Sequence, residues 1–262
     1  MFAAIFYKNY LNALKSLKVW SLLGWLDIYK RYRRSKLGQI WIVISTLVLV
    51  GSISFIFSTL FKSNYFFFLV YVVNNLCLWV FFREIVEDSS LIFIENKFFL
   101  FNEKWNHLIM IFRLIARNAI IYMHNLILII PINIIFNDNF TLLGLAQYIL
   151  NFFIILPFFI NISLIIAIVS TRFRDFRIII NNLMQLIFFL TPVIYQKINF
   201  EKYNWLFELN IFAFLLEFVN NPINNIDVTF ANYVTVVIIL AITTFISSII
   251  YANKYKRINY WL

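Results

Sequence analysis

The side chains most able to do chemistry in this 262-residue chain fall in a few places. Arg31-Tyr32-Arg33-Arg34-Ser35-Lys36 is a dense basic run of the kind that meets phosphate headgroups electrostatically. Its plainer alternative is a cluster that only fixes topology. Arg172, Arg174, Asp175 and Arg177 stand within six residues of one another. Asp175 is the odd member, because topology needs only the arginines. An acid in such a turn can shape it through side-chain-to-backbone hydrogen bonds or pair with a basic group on a partner. Glu84, Glu87 and Asp88 form a like-charged group suited to solvent or to a partner's basic surface.

Enzyme chemistry finds little to work with. His107, near Glu103 and Lys104, is the one constellation at which catalysis could be sought, and a solvated interfacial turn accounts for it better. His124 lies inside an apolar run and reads as a packed, hydrogen-bonded residue. Cys77 can form no disulfide within the chain, and two histidines with one cysteine are too few for a zinc site. The glycines, Gly24, Gly38, Gly51 and Gly144, include no pair with the spacing of a phosphate-cradling P-loop. The chain has no nucleotide-binding motif, no metal site and no assignable catalytic residue.

The elements that must carry these residues follow from composition. The chain is 63% hydrophobic and 20% aromatic, only 13% charged, and its mean hydropathy is +0.84. Soluble domains carry about 45–50% apolar and about 25% charged residues, so this is an integral membrane protein. Unbroken Ile-Phe-Leu runs favour helices over the alternating segments of a barrel. Six runs are long enough to cross a bilayer: Gln39–Phe61, Tyr65–Phe82, Asn118–Phe136, Ala146–Ser170, Ile178–Tyr195 and Phe230–Ala252. None contains Asp, Glu, Lys or Arg, which weakens an ion-coupled reading.

Charge then orients the spans. Residues 1–38 carry eight Lys/Arg, 83–117 carry five, and 171–177 and 253–262 carry three each. Residues 62–64, 137–145 and 196–229 carry one, none and two. Nineteen of 22 basic residues thus fall on one side. The positive-inside rule makes that side the cytoplasm and puts both termini there. The +10 net charge needs no nucleic acid to explain it. Residues 1–38 read as a cytoplasmic interface segment with an amphipathic helix, and 39–262 as the six-helix domain. In that helix Phe6, Tyr10, Ala13, Leu14 and Leu17 share one face, with Lys8, Asn9, Asn12, Lys15 and Ser16 opposite. The 196–229 stretch is too interrupted to span and reads as one or two short interfacial helices on the outer side.

Leu26-Asp27 followed by Arg31-Tyr32-Arg33-Arg34-Ser35-Lys36-Leu37-Gly38-Gln39-Ile40-Trp41 resembles the stretch that leads into the first span of polysaccharide and polyol-phosphate ABC exporter permeases. Leu91–Arg113, with Glu95-Asn96-Lys97 and Lys104-Trp105, is similar to that family's cytoplasmic segment between spans two and three. Ser170-Thr171-Arg172-Phe173-Arg174-Asp175-Phe176 and, further on, Phe188-Phe189-Leu190-Thr191-Pro192-Val193-Ile194-Tyr195 look like a third region of the same family. The chain departs from the family at Thr46, Asn106 and Asn210-Ile211, where family members carry proline or an Asn-Pro pair.

The resemblance implies an all-α, inner-membrane homodimer that exports a lipid-linked polysaccharide such as O-antigen, capsule or a teichoic-acid-like polymer. Separate cytoplasmic ATPase subunits would bind ATP and Mg²⁺, so the chain itself would need no cofactor. It places ATPase coupling at Asn96, Lys97, Arg172, Arg174, Asp175 and Arg177. A lipid-linked glycan would be admitted at Arg31, Arg33, Arg34 and Lys36, among membrane lipids, and Trp41 and Trp79 become channel aromatics. A drug-exporting ABC permease and a channel or scaffold without an ATPase are the alternatives.

Overall fold

A computed structural model describes residues 2–101, 105–197 and 204–262. In chain order the helices are α1 (Phe2–Lys15), α2 (Leu17–Tyr32), α3 (Ile40–Leu60), α4 (Tyr65–Ser89), α5 (Ile92–Glu95) and α6 (Lys97–Leu100). There follow α7 (His107–Phe136), α8 (Leu142–Arg172), α9 (Phe176–Leu190), α10 (Asn204–Glu208), α11 (Ile211–Asn220) and α12 (Phe230–Trp261). A 3₁₀ turn, Asn221–Asn224, joins the α11 end to the segment before α12. Among the described residues there is no strand, and five helices (α3, α4, α7, α8 and α12) are long and apolar enough to cross a membrane. The protein is an all-α polytopic membrane protein.

Polar side chains start several of these helices. The Asn64 side chain accepts from the Phe66 N–H at 2.8 Å, Asn106 from Leu108, Thr141 from Gly144, and Asn210 from Phe212 and Ala213. Each satisfies an N–H that the first turn leaves unpaired. Asn106 and Asn210 are two of the positions where the sequence departs from the permease pattern that it resembles. Gly38, at φ +55°, makes the left-handed turn between α2 and α3 that a side chain would strain.

Most spans run longer than hydropathy suggests. The third begins at His107 rather than Asn118, because Arg113 and Arg117 meet carboxylates and need not end the helix. The last continues past Ala252 to Trp261, carrying Lys254, Lys256 and Arg257 beyond the apolar run. α4 is the central helix, buried almost continuously from Phe68 to Phe82 and touching α3, α7, α8, α9 and α11. Phe81 and Phe82 form a ring cluster with Tyr122, Phe152 and Phe159. α12 packs on α8, α2 on α7, and α1 on α12 through Phe6 against Tyr251, while Tyr10 of α1 meets Phe112 of α7.

The fifth expected span, Ile178–Tyr195, is corrected. α9 stops at Leu190, and its 15 residues reach about 22 Å against a core of about 30 Å. Thr191-Pro192 ends it, since proline cannot donate the next helical bond. Phe188, near that end, meets Trp79 of α4 at 5.7 Å between ring centroids. Phe212, in the first turn of α11, meets the same Trp79 at 6.1 Å. The Asn210 amide reaches back to the Leu190 carbonyl at 3.2 Å and the Thr191 hydroxyl at 2.9 Å. α11 therefore resumes where α9 left off, and its far end, Asn220, bonds to Asn75 of α4 at 2.8 Å. In place of one continuous fifth span, α9 and α11 lie end to end against α4. The short helices expected between spans five and six are α10 and α11, and α11 is largely buried.

Candidate functional site

Two polar regions stand out, one at each end of the bundle. The first holds most of the charge. Arg113 donates from Nε and Nη2 to the two carboxylate oxygens of Asp27, at 2.7 and 2.6 Å, and from Nη1 to Asn96 Oδ1 at 2.7 Å. One guanidinium thus joins α2, α7 and the start of α6. Beside it, Arg117 pairs with Asp88 of α4 at 2.5 Å. α2 approaches closely because Gly24 faces α7, where an added Cβ would come within 3.0 Å of the Arg117 amide nitrogen. Asp27 and Arg113 both lie in segments quoted for the family resemblance, but nothing in the sequence couples two residues this far apart.

The expected coupling residues separate by environment. Asn96 is buried, with its amide spent on Arg113 and the Ile92 carbonyl. Lys97 is exposed on α6 beside the open Phe98 and Phe99 rings. Arg172, Arg174, Asp175 and Arg177 are all exposed. Arg172 lies over the Phe173 and Trp261 rings at 5.2 and 5.4 Å, so it also ties the turn to the C-terminal helix. Asp175 stands at the start of α9 but makes no capping hydrogen bond, so its carboxylate does not fix the helix start. α5 packs against α7 and α8, bringing both segments to one end of the bundle.

Arg31, in the last turn of α2, and Arg33, Arg34 and Lys36, just after it, are exposed. Arg31 also lines a recess of about 220 Å³ shared with Ser45, Thr46 and Glu84, so an acid already faces that arginine. Trp41 is 45% exposed on α3. Trp79 is 2% exposed, enclosed by Phe188 and Phe212, and borders no open surface within the chain. His107 bonds to Asn259 at 2.9 Å, which makes it a packing residue between α7 and α12. Its suggested neighbours Glu103 and Lys104 lie outside the described residues. Among the described residues no group of three or more His, Cys, Asp or Glu comes within metal-binding reach.

The second region was not read from sequence. A cavity of about 930 Å³ opens at the end opposite the basic cluster, between α4, the end of α7, the 192–197 turn and α11. Its floor is built from asparagines. Asn74 and Asn133 exchange amide hydrogen bonds at 3.1 and 2.7 Å, and Asn137 donates to Asn133 and to the Ile223 carbonyl. Asn75 accepts from Asn220, whose own Oδ1 is buried without a hydrogen-bond partner. The Tyr71 hydroxyl reaches the Pro192 and Tyr195 carbonyls at 2.7 and 2.6 Å. Lys197 pairs with Glu217 at 2.5 Å inside the cavity wall. A signal was available: the general bias toward Asn, and proline at the end of a short span, are what a discontinuous helix beside a polar site leaves in sequence.

Compared with known proteins, the chain matches no family model and no curated protein.

Proposed function

We propose that this chain is the transmembrane subunit of an ABC exporter that moves a lipid-linked polysaccharide out of the cytoplasm, working as a homodimer with separate ATPase subunits. The observation that carries the reading is the exposed 172–177 turn, with Asp175 uncapped, at the same end as exposed Lys97, Phe98 and Phe99. A charged turn between two apolar helices suits docking into a partner better than anchoring alone, since an acid adds little to topology. The sequence carries no phosphate-cradling glycine motif, which fits a subunit powered by a separate ATPase.

The basic run 31–36 sits where a pyrophosphate-linked lipid would be admitted from the cytoplasmic leaflet, and both termini would lie on that side. The membrane would then be the plasma (inner) membrane. The test is loss of the protein in its native cell. Lipid-linked polymer is expected to be made but held on the cytoplasmic side, with surface polymer lost and an ATPase subunit co-purifying with the wild-type chain. Unchanged surface glycan with new sensitivity to lipophilic drugs would transfer the assignment to a drug permease.

A further inference from the structure

The cavity at the far end of the bundle has no role in ATPase coupling or in admitting a lipid. Three features make it more than a gap between helices. It reaches well below the end of the bundle, because Asn74 lies nine residues along α4 from Tyr65, about 14 Å by helical rise. One wall is the break between α9 and α11, and non-helical backbone at membrane depth is tolerated only inside protein or beside a water-filled space. Its volume, about 930 Å³, is at the upper end of the range for small-molecule sites, which is about 300–1,000 Å³.

The lining defines the ligand. Asn74, Asn75 and Asn220 line it, and each amide is engaged by a neighbour. An amide has two N–H donors and two lone pairs, so each keeps a donor and an acceptor, which matches a hydroxyl group that also does both. Asn220 lines the cavity and is 4% exposed, and its Oδ1 is buried with no hydrogen-bond partner among the described groups, an acceptor still to be satisfied. Burial of such an atom is costly unless a ligand or water donates to it. Phe66 and Tyr71 add ring surface, and Phe66 is held by stacking on Phe136 at 4.5 Å between centroids. Rings beside hydrogen-bonding amides suit a sugar, which has apolar C–H faces and an equatorial rim of hydroxyls.

Charge separates a sugar from a phosphate. The described charged groups lining the cavity are Asp138, Glu217 and Lys197, and Glu217 already neutralises Lys197. What remains is one carboxylate at the mouth, which repels an anion.

We propose that this cavity is a binding site for uncharged sugar units. It rests on the export reading for the source of the sugar, placing the site on the outer side where the polymer emerges, and on the cavity itself for the chemistry. Occupancy there would hold a neutral glycan after it has passed the membrane midplane and would leave phosphate-rich polymers unrecognised.

Saturation-transfer NMR on the purified full-length protein in nanodiscs tests this, with glucose, galactose, mannose and N-acetylglucosamine as probes and inorganic phosphate as the anionic control. At least one sugar is expected to give a signal, and phosphate none. Asn220→Ala should weaken that sugar's binding by about tenfold. Asn139→Cys, at the exposed rim, should lose it when the thiol carries a bulky maleimide, and this variant leaves the buried network intact if Asn220→Ala does not fold. Absence of signal from every sugar, signal unaffected by the rim label, or phosphate binding as well as sugar would overturn the site. If the polymer is stranded in cells lacking the protein yet no sugar binds, the export reading survives and the cavity assignment alone fails. Sugar binding by a protein whose loss leaves surface glycan unchanged removes the export reading and keeps the site.

Discussion

Arg113 and Asp175 are charged groups at the same end of the bundle, and their surroundings give them opposite consequences. Arg113 and Asp27 have side chains 14% and 18% exposed, and their two parallel hydrogen bonds bind α2 to α7. Removing one partner leaves the other partly buried and unpaired, at a cost of about 3 kcal/mol. Asp27→Asn is therefore expected to lower the unfolding midpoint of the purified protein clearly, and an equal midpoint would show the pair to be solvent-compensated. Asp175 is exposed and caps nothing. Asp175→Ala should leave folding and membrane insertion near wild type while cutting export more than tenfold, since losing one half of a buried interfacial pair costs about 2–5 kcal/mol. Arg172→Lys should do less to export, because a lysine keeps the positive charge beside the Phe173 and Trp261 rings. Export equal to the parent's in Asp175→Ala would reduce the turn to an anchor.

At the scale of elements, the long spans were legible because hydrophobic length is itself the membrane's requirement. Their ends were not. Arg113 and Arg117 looked like stop signals until Asp27 and Asp88 were found opposite them, and those partners are far apart in sequence. The end-to-end placing of α9 and α11 was hidden for a related reason. Ile178–Tyr195 carries no charge, so hydropathy passes over Pro192, and only the return of Asn210 to Leu190 shows where the helical path resumes. The Asn bias and Pro192 hinted at a polar site, but its position was illegible because its members come from α4, α7 and α11 and nothing in the sequence says which of them meet. Tyr71 fixes the break by reaching two carbonyls of the 192–195 turn. Tyr71→Phe removes the single hydroxyl proton that those two carbonyls share, worth about 1 kcal/mol in all. A Gln196→Cys reporter should then react severalfold faster with maleimide than in the Tyr71 parent. An unchanged rate would mean that Pro192 and packing hold the turn without the hydroxyl.

For the whole molecule, parity decides the topology. Five complete crossings would leave the termini on opposite sides, whereas α9 and α11 acting as one crossing return the C-terminus to the side of the N-terminus. The fold gathers charge as the second arrangement requires. The described basic residues of α2, α6, the 172–177 turn and the α12 end lie at one end, and those of 62–64 and 191–197 at the other. The Arg172 guanidinium over the Trp261 ring joins the α8 end directly to the C-terminal helix. Positive residues resist translocation, so the basic end should stay in the cytoplasm. Single cysteines at Asn139 and Asp227, both exposed at the far end, should react with a membrane-impermeant maleimide in intact cells. Cysteines at Ser35 and at Tyr260, which is 89% exposed, should react only after the membrane is opened. Cys77 is 1% exposed and should stay silent in every case. Labelling of Tyr260→Cys from outside, with Ser35→Cys protected, would mean that α9 and α11 do not complete a crossing. Labelling of Ser35→Cys with Asn139→Cys protected would invert the molecule, putting the asparagine-lined cavity inside the cell and the 172–177 turn outside it.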